Sequence, residues 1–239
     1  MKITKNNQRN FLLGLRDTIP LVIAATPFAI VFGALAVSNG LPEWLIMSMS
    51  IFVFAGASQF IAITLLAAAT AFPVILLTVF IVNLRHMLYA ASLMPQLEKV
   101  PQWLRSPMAF FLTDETYAVV SNRVFQQPNK AGFVAYYLGS GIFMYLNWIL
   151  FSYIGMTLGK SIPNITSWGL DIAMIVAFIG IVVPILKRRA DWACAITAAI
   201  SGLLTYDWPH QTGLLFSAMV AIAVGMLVSF LEKQEKGDE

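Results

Sequence analysis

The segment Pro73–Met94 reads PVILLTVFIVNLRHMLYAASLM. It has the ~20 mostly apolar residues needed to cross a bilayer, yet it carries Asn83, Arg85 and His86 near its middle. An arginine at that depth costs roughly 2.5 to 3.5 kcal/mol on insertion scales, so it is paired, snorkels to an interface, or lines a wet cavity. At ~1.5 Å per helical residue, the side chain of Arg85 cannot easily reach either end of the segment, which is bounded by Pro73 and Pro95. The stretch therefore predicts a membrane helix bundle organised around a polar site.

The composition agrees with that class. Hydrophobic residues make up 59% of the 239-residue chain and charged residues 11%; mean hydropathy is +0.76. Soluble domains hold about 25% charged residues. Apolar runs recur from end to end, so residues 1–239 read as one polytopic integral membrane domain, with 1–17 as a cytoplasmic leader and 232–239 as a cytoplasmic tail. The leader is polar for too long, and lacks a small-residue cleavage site, to be a secretory signal. Cys194 is the only cysteine and excludes an intrachain disulfide. The net charge of +3 comes from bases scattered between apolar runs, a pattern of positive-inside topology and not of nucleic-acid binding.

The expected fold is all-α, a polytopic transmembrane bundle of about 7–8 spans, with kinked or broken helices near Pro27 and Gly56–Gln59. The first span covers about Thr18 to Val37, with a bend at Pro27 and a close helix contact at Gly33. The second apolar stretch, Trp44 to Ala71, would be ~42 Å long as one helix against a ~30 Å hydrocarbon core, too long to stand upright. Inside it, Phe54-Ala-Gly-Ala-Ser-Gln-Phe60 can either pack closely or unwind. Pro73–Met94 is third. A proline-rich loop leads to Met108–Phe125, apolar except for Asp114 and Glu115 at its centre. Further spans are expected at Gly132–Met156, Gly169–Leu186, Trp192–Thr205 and Thr212–Leu231. With eight crossings and a cytoplasmic N-terminus, the inner side collects most of the lysines and arginines, leaving Lys99, Arg105 and Lys160 outside. Folding the Asp114 segment back as a re-entrant hairpin would move Lys187-Arg188-Arg189 outside, so eight crossings are preferred, with six or seven left open by the short segment Trp192–Thr205.

On a helix Asn83 and His86 share a face that Tyr89 extends, and Asp114 shares one with Tyr117 and Ser121. One arrangement pairs Arg85 with Asp114 and leaves Glu115, if buried, free to carry a proton. The alternative is a structural pair that only fixes helix register. His86 is equally readable as a hydrogen-bonded core histidine. Asp171, Asp207 and His210 fall near segment ends, as do Trp44, Trp168 and Trp208, which suit an interfacial belt. No cofactor is expected: there is no His/Cys cluster with ligand spacing, no phosphate loop and no recognisable nucleophile motif.

Four strings together resemble the AzlC family of bacterial branched-chain amino acid permeases: Pro27-Phe28 through Phe32-Gly33, Phe54–Phe60, Asn83-Leu-Arg-His86 with Tyr89, and Thr113-Asp-Glu-Thr116 with Ala118. Leu170-Asp171 and Pro184 add a weaker echo. The resemblance implies export of branched-chain or similar amino acids across the bacterial cytoplasmic membrane, with a small hydrophobic AzlD-type partner subunit. Such a zwitterion needs three contacts. The carboxylate could meet Arg85 or unwound backbone near Gly56, Ser58 and Gln59; the ammonium could meet Asp114; the side chain could sit among Phe28, Phe32 and Phe60. Glu115 or His86 could carry a coupled proton, with Asn83 in the same polar stripe. The competing classes are a non-transporting membrane scaffold or partner subunit and an intramembrane enzyme.

Overall fold

The computed structural model describes residues 5–98, 100–126, 131–161, 179, 183, 186–208 and 212–235. The span expected over Gly169–Leu186, together with Trp168, Leu170, Asp171, Pro184 and His210, lies outside these residues or is only touched by them. Every regular element among the described residues is helical. The helices are α1 (Lys5–Ser38), α2 (Glu43–Ser48), continued by a π-helical turn (Met49–Val53), α3 (Gly56–Ala67), α4 (Phe72–Leu97), α5 (Gln102–Phe110), α6 (Asp114–Gln126), α7 (Phe133–Ser161), α8 (Arg189–Leu204) and α9 (Thr212–Glu235). Among the described residues four helices, α1, α4, α7 and α9, are long and apolar enough to cross a membrane.

α1 is longer than the sequence suggests. It starts at Lys5, so most of the expected leader is helical, and it runs unbroken through Pro20 and Pro27. It packs along α7 over nearly its whole length, and small residues set the separation. A Cβ on Gly33 would sit 2.1 Å from the Ser152 carbonyl oxygen, and one on Gly155 2.0 Å from that of Ile30, so only glycine permits this approach. The two helices are parallel. Thr18 Oγ1 donates to Ser140 Oγ at 2.7 Å and, two turns on, Thr26 Oγ1 donates to Asn147 Oδ1 at 3.0 Å. This pair defines a near end, where both helices begin, and a far end, where both finish.

Against that axis, two of the expected crossings turn back. Glu43 pairs with Lys160 at the far end, and the Tyr145 hydroxyl donates to the Ile51 carbonyl halfway down α7, at 2.9 Å. The chain then reverses at Phe54, whose φ of 43° is left-handed. α3 climbs back, with Phe60 edge-on to Phe32 and Ile63 buried in the same cluster as Ala36. Four residues later α4 descends the whole length to the near end.

The Asp114 segment does the same from the opposite side. α5 rises, with the Tyr137 hydroxyl donating to the Met108 carbonyl at 2.7 Å and Phe110 reaching Tyr145, ring centroids 5.5 Å apart. The helix breaks at Phe111–Thr113, and α6 returns to the near end. There Arg123 stacks on Tyr136 and donates to Asn10 Oδ1. Trp44–Ala71 is therefore one helical hairpin and Met108–Phe125 the tip and returning arm of another, and among the described residues neither makes the single crossing expected of it. Composition hides the first reversal, because α3 is as apolar as a crossing helix; α6 is more polar. The charge objection to a hairpin applies only to one hairpin alone. With both turned back, the segments after α7 keep their sides, and Arg105 joins Lys5, Arg9 and Arg123 at the near end.

Candidate functional site

The two hairpin tips meet at mid-depth. A pocket enclosing ≈ 560 Å³, its open mouth included, lies between them. Hairpin one contributes Phe54 to Ala57 and Phe60; hairpin two contributes Thr113, Asp114 and Glu115; α4 supplies Arg85 and His86, and Phe28, Met144 and Trp148 close it from α1 and α7. Non-helical backbone at membrane depth is tolerated where it is buried in protein or lines a cavity, and both breaks meet that condition.

The charged wall is built across α4 and α6. Arg85 Nη1 lies 2.8 Å from Asp114 Oδ2, and the Tyr89 hydroxyl donates to Asp114 Oδ1 at 2.7 Å. Asp114 and Glu115 are not at the centre of a span, as the apolar flanks suggest. They occupy the first turn of α6, where the positive end of the helix dipole favours carboxylates. Opposite them α3 begins. Its first amide to return to the helix is that of Gln59, bonded to the Ala55 carbonyl, so the amides of Gly56, Ala57 and Ser58 are its end donors. Two further donors have no protein acceptor although their atoms are buried: Arg85 Nε and Trp148 Nε1. The pocket thus combines two carboxylates, a guanidinium with spare capacity and an apolar wall of Phe28, Phe60, Met144 and Trp148.

Of the residues singled out from sequence, Phe28, Gly56, Phe60, Arg85, His86, Asp114 and Glu115 line this pocket. The other four stand behind it. Ser58 donates to Asn83 Oδ1 at 2.6 Å, tying α3 to α4. Gln59 is fully buried and reaches Ser50 Oγ at 3.4 Å. Phe32 backs the apolar wall through Phe60 and Trp148. His86 Nδ1 lies 3.1 Å from its own-helix Asn83 carbonyl, the arrangement of a core histidine. Sequence reasoning did not single out Phe54, Ala55, Ala57 and Thr113, which adjoin residues it named, and it missed Trp148 and Met144 altogether. The signal was available for Trp148, which neighbours Asn147 in mid-span, away from any interfacial belt. Met144 carries none. Among the described residues no group of acidic, histidine and cysteine side chains could hold a metal ion.

A helical bundle with two opposed half-helix hairpins and a mixed charged and apolar pocket between their tips defines an integral membrane protein with a polar pocket inside its helix bundle. The AzlC protein family model matches residues 20–162, a stretch that ends just past α7 and contains both hairpins. The chain belongs to the AzlC family. It is 28% identical over 226 residues to the inner membrane protein YgaZ of Escherichia coli strain K12, covering 92% of this chain and 88% of that one. It is 32% identical over 226 residues to an uncharacterized membrane protein of Archaeoglobus fulgidus, covering 92% and 91%. An uncharacterized membrane protein of Helicobacter pylori strain 26695 is 27% identical over 185 residues, covering 76% and 79%. No solved structure matches.

Proposed function

We propose that the chain is a secondary transporter that exports branched-chain or related amino acids across the bacterial cytoplasmic membrane, coupled to protons. The observation that carries the reading is the pairing, within one pocket, of an Arg85–Asp114 bridge with spare donors and a wall of Phe28, Phe60, Met144 and Trp148. An α-carboxylate would take Arg85 Nε and the α3 end amides. An ammonium would take Asp114 or Glu115, and an aliphatic side chain the aromatic wall. Glu115 is the candidate proton carrier, since Asp114 already holds Arg85 and Tyr89.

The chain acts in this reading as a carrier and not as an enzyme, with the His86 ring turning Nδ1 to the Asn83 carbonyl of its own helix. The bases Lys5, Arg9, Arg105 and Arg123 at the near end, against Lys160 at the far end, support a reading in which the near end and the N-terminus face the cytoplasm. The AzlD-type subunit would cover the exposed apolar face of α4 that includes Phe72, Leu76, Phe80 and Met87.

The decisive measurement is efflux of L-leucine from reconstituted vesicles, with and without the small subunit and with an imposed pH gradient. Gradient-driven leucine movement, lost in Arg85→Ala, is the expected result. Leucine movement unchanged when the gradient is collapsed removes the proton coupling, and no movement of any branched-chain amino acid removes the transport reading.

A further inference from the structure

The two hairpins are alike in more than shape. α1 ends at Ser38 and α4 at Leu97, 59 positions later. The same interval separates Pro42-Glu-Trp-Leu45, which opens α2, from Pro101-Gln-Trp-Leu104, which opens α5. Both prolines cap their helix in the same extended conformation, φ −69° and ψ 143° for Pro42, φ −65° and ψ 147° for Pro101. Both tryptophans are exposed, one at the far end and one at the near end. The second half-helices restart at Gly56 and Asp114, 58 positions apart. The sequence strings pair across this interval as well: Pro27-Phe28 with His86-Met87, beside Arg85, and the Gly56 tip with the Asp114–Glu115 tip.

We propose that residues 5–67 and 72–126 are two inverted copies of one unit, a long helix followed by a helical hairpin, and that an exchange of packing between the copies opens the central pocket first to one end and then to the other. The present conformer shows the asymmetry such an exchange requires. In the first copy the hairpin is shut on its own long helix: α3 packs on α1, Phe60 is edge-on to Phe32 with centroids 5.8 Å apart, and both are buried. In the second copy α6 stands off from α4. The space is bridged by side chains alone, Asp114 to Arg85 and Tyr89, Tyr117 stacked on Tyr89 at 4.4 Å, and Ser92 to Tyr117 in an exposed hydrogen bond. The contacts between copies are matched, α3 on α4 and α6 on α1. The pocket is therefore sealed toward the far end and approached from the near end, between α4 and α6. The exchanged state closes α6 onto α4 and parts α3 from α1. Inverted repeats around a mid-depth site, with broken helices at the site, are a known basis for such switching.

The duplication stands without the transport reading above; the gating role rests on it. Two measurements on the full chain, in a Cys194→Ser background, test them without recourse to flux. First, an impermeant thiol reagent is applied to intact cells and to inverted vesicles carrying single cysteines. Asn39→Cys and Thr70→Cys should label from one face, Glu98→Cys and Gln126→Cys from the other; labelling of Asn39→Cys and Thr70→Cys from opposite faces overturns the inverted repeat. Second, the pair Ser92→Cys and Tyr117→Cys is exposed to oxidant. A disulfide needs Cα atoms within about 7 Å, and a contact made through the full length of a tyrosine is too long for one, so the bond forms only when α6 closes on α4. Thr18→Cys with Ser140→Cys, on the fixed α1–α7 contact, is the control for oxidant access. Oxidation of both pairs is expected. A Ser92–Tyr117 pair that stays reduced while the control oxidises overturns the exchange. A protein that passes both tests and moves no amino acid keeps the repeat and loses the transport reading.

Discussion

The α1–α7 contact and the α4–α6 contact bring helices together in opposite ways. Between α1 and α7 there is no side chain to spare: glycines meet carbonyl oxygens from Gly14 to Gly155, and the embedded hydroxyls of Thr18, Thr26 and Ser140 are bonded across or along the seam. Between α4 and α6 the contacts described are made by side chains, Arg85, Tyr89 and Ser92 on one helix meeting Asp114 and Tyr117 on the other. A glycine seam has one register, because its contacts are backbone and cannot rotate away. Contacts made by rotatable side chains and polar bonds can be broken and remade at small cost. The first is built to stay fixed and the second to move.

The largest effect is expected from breaking the fixed contact. Gly155→Leu forces a side chain into the Ile30 carbonyl, where even a Cβ would be 2.0 Å from the oxygen. Overpacking in a well-filled core costs about 1 to 3 kcal/mol, and a backbone clash that no rotamer relieves belongs above that range. The expected outcome is loss of monodisperse protein on size exclusion after detergent extraction. A well-folded Gly155→Leu protein would mean that α1 and α7 are not seamed as described.

Next comes the charged bridge on the moving side. Asp114→Ala leaves Arg85 without its counter-charge beside an apolar wall, a change worth about 3 to 5 kcal/mol for a fully buried pair and less here, since both side chains keep about a quarter of their surface exposed. Leucine efflux should vanish while the protein still extracts intact, because the α1–α7 seam is untouched. The exchanged pair Arg85→Asp with Asp114→Arg should recover part of the activity. Full activity in Asp114→Ala alone would take the bridge out of the mechanism.

That bridge was legible in the sequence, and the reason is energetic: an arginine and an aspartate in apolar surroundings have few affordable arrangements besides meeting each other. The all-helical membrane class followed from composition for the same reason, and the break near Gly56 followed from a stretch too long to stand upright. The reversals were not legible. Whether a broken helix continues or turns back depends on one or two dihedrals at Phe54 and at Leu112–Thr113, and neither residue type favours a reversal. Only half of the apolar wall, Phe28 and Phe60, was legible. Met144 and Trp148 sit on a helix that is apolar all round, where nothing in the pattern marks which face meets a cavity.

A smaller effect should come from Gly56→Ala at the tip of hairpin one. The added methyl would lie 2.9 Å from the Trp148 ring, and an indole wedged against Phe32 has little room to yield. Efflux should fall by roughly tenfold, as about 1.4 kcal/mol of strain implies if it falls on the working state alone. Pairing the change with Trp148→Phe, which removes the clashing part of the ring, should restore most of it. Restoration would place the effect at this contact; a double variant no better than Gly56→Ala would locate the cost in the backbone of the tip instead.

The finest probe of the difference between the two contacts is Tyr89→Phe. It removes one hydroxyl, the donor to Asp114 Oδ1 at 2.7 Å, and leaves the ring stacked on Tyr117. A hydrogen bond to a charged group contributes about 1.5 to 3 kcal/mol. Asp114 keeps Arg85 and remains near enough to the pocket mouth for water to replace the lost donor, so the net effect should fall at or below the low end of that range. Folding should be unaffected. The measurable change should be in rate: if α6 must release Tyr89 or regrip it each time it closes on α4, Tyr89→Phe alters the maximal rate of leucine efflux by a few-fold and leaves the half-saturating concentration nearly unchanged. A change in half-saturation with the maximal rate preserved would instead make the hydroxyl part of the binding surface. That outcome would move Tyr89 from the joint between α4 and α6 into the pocket itself.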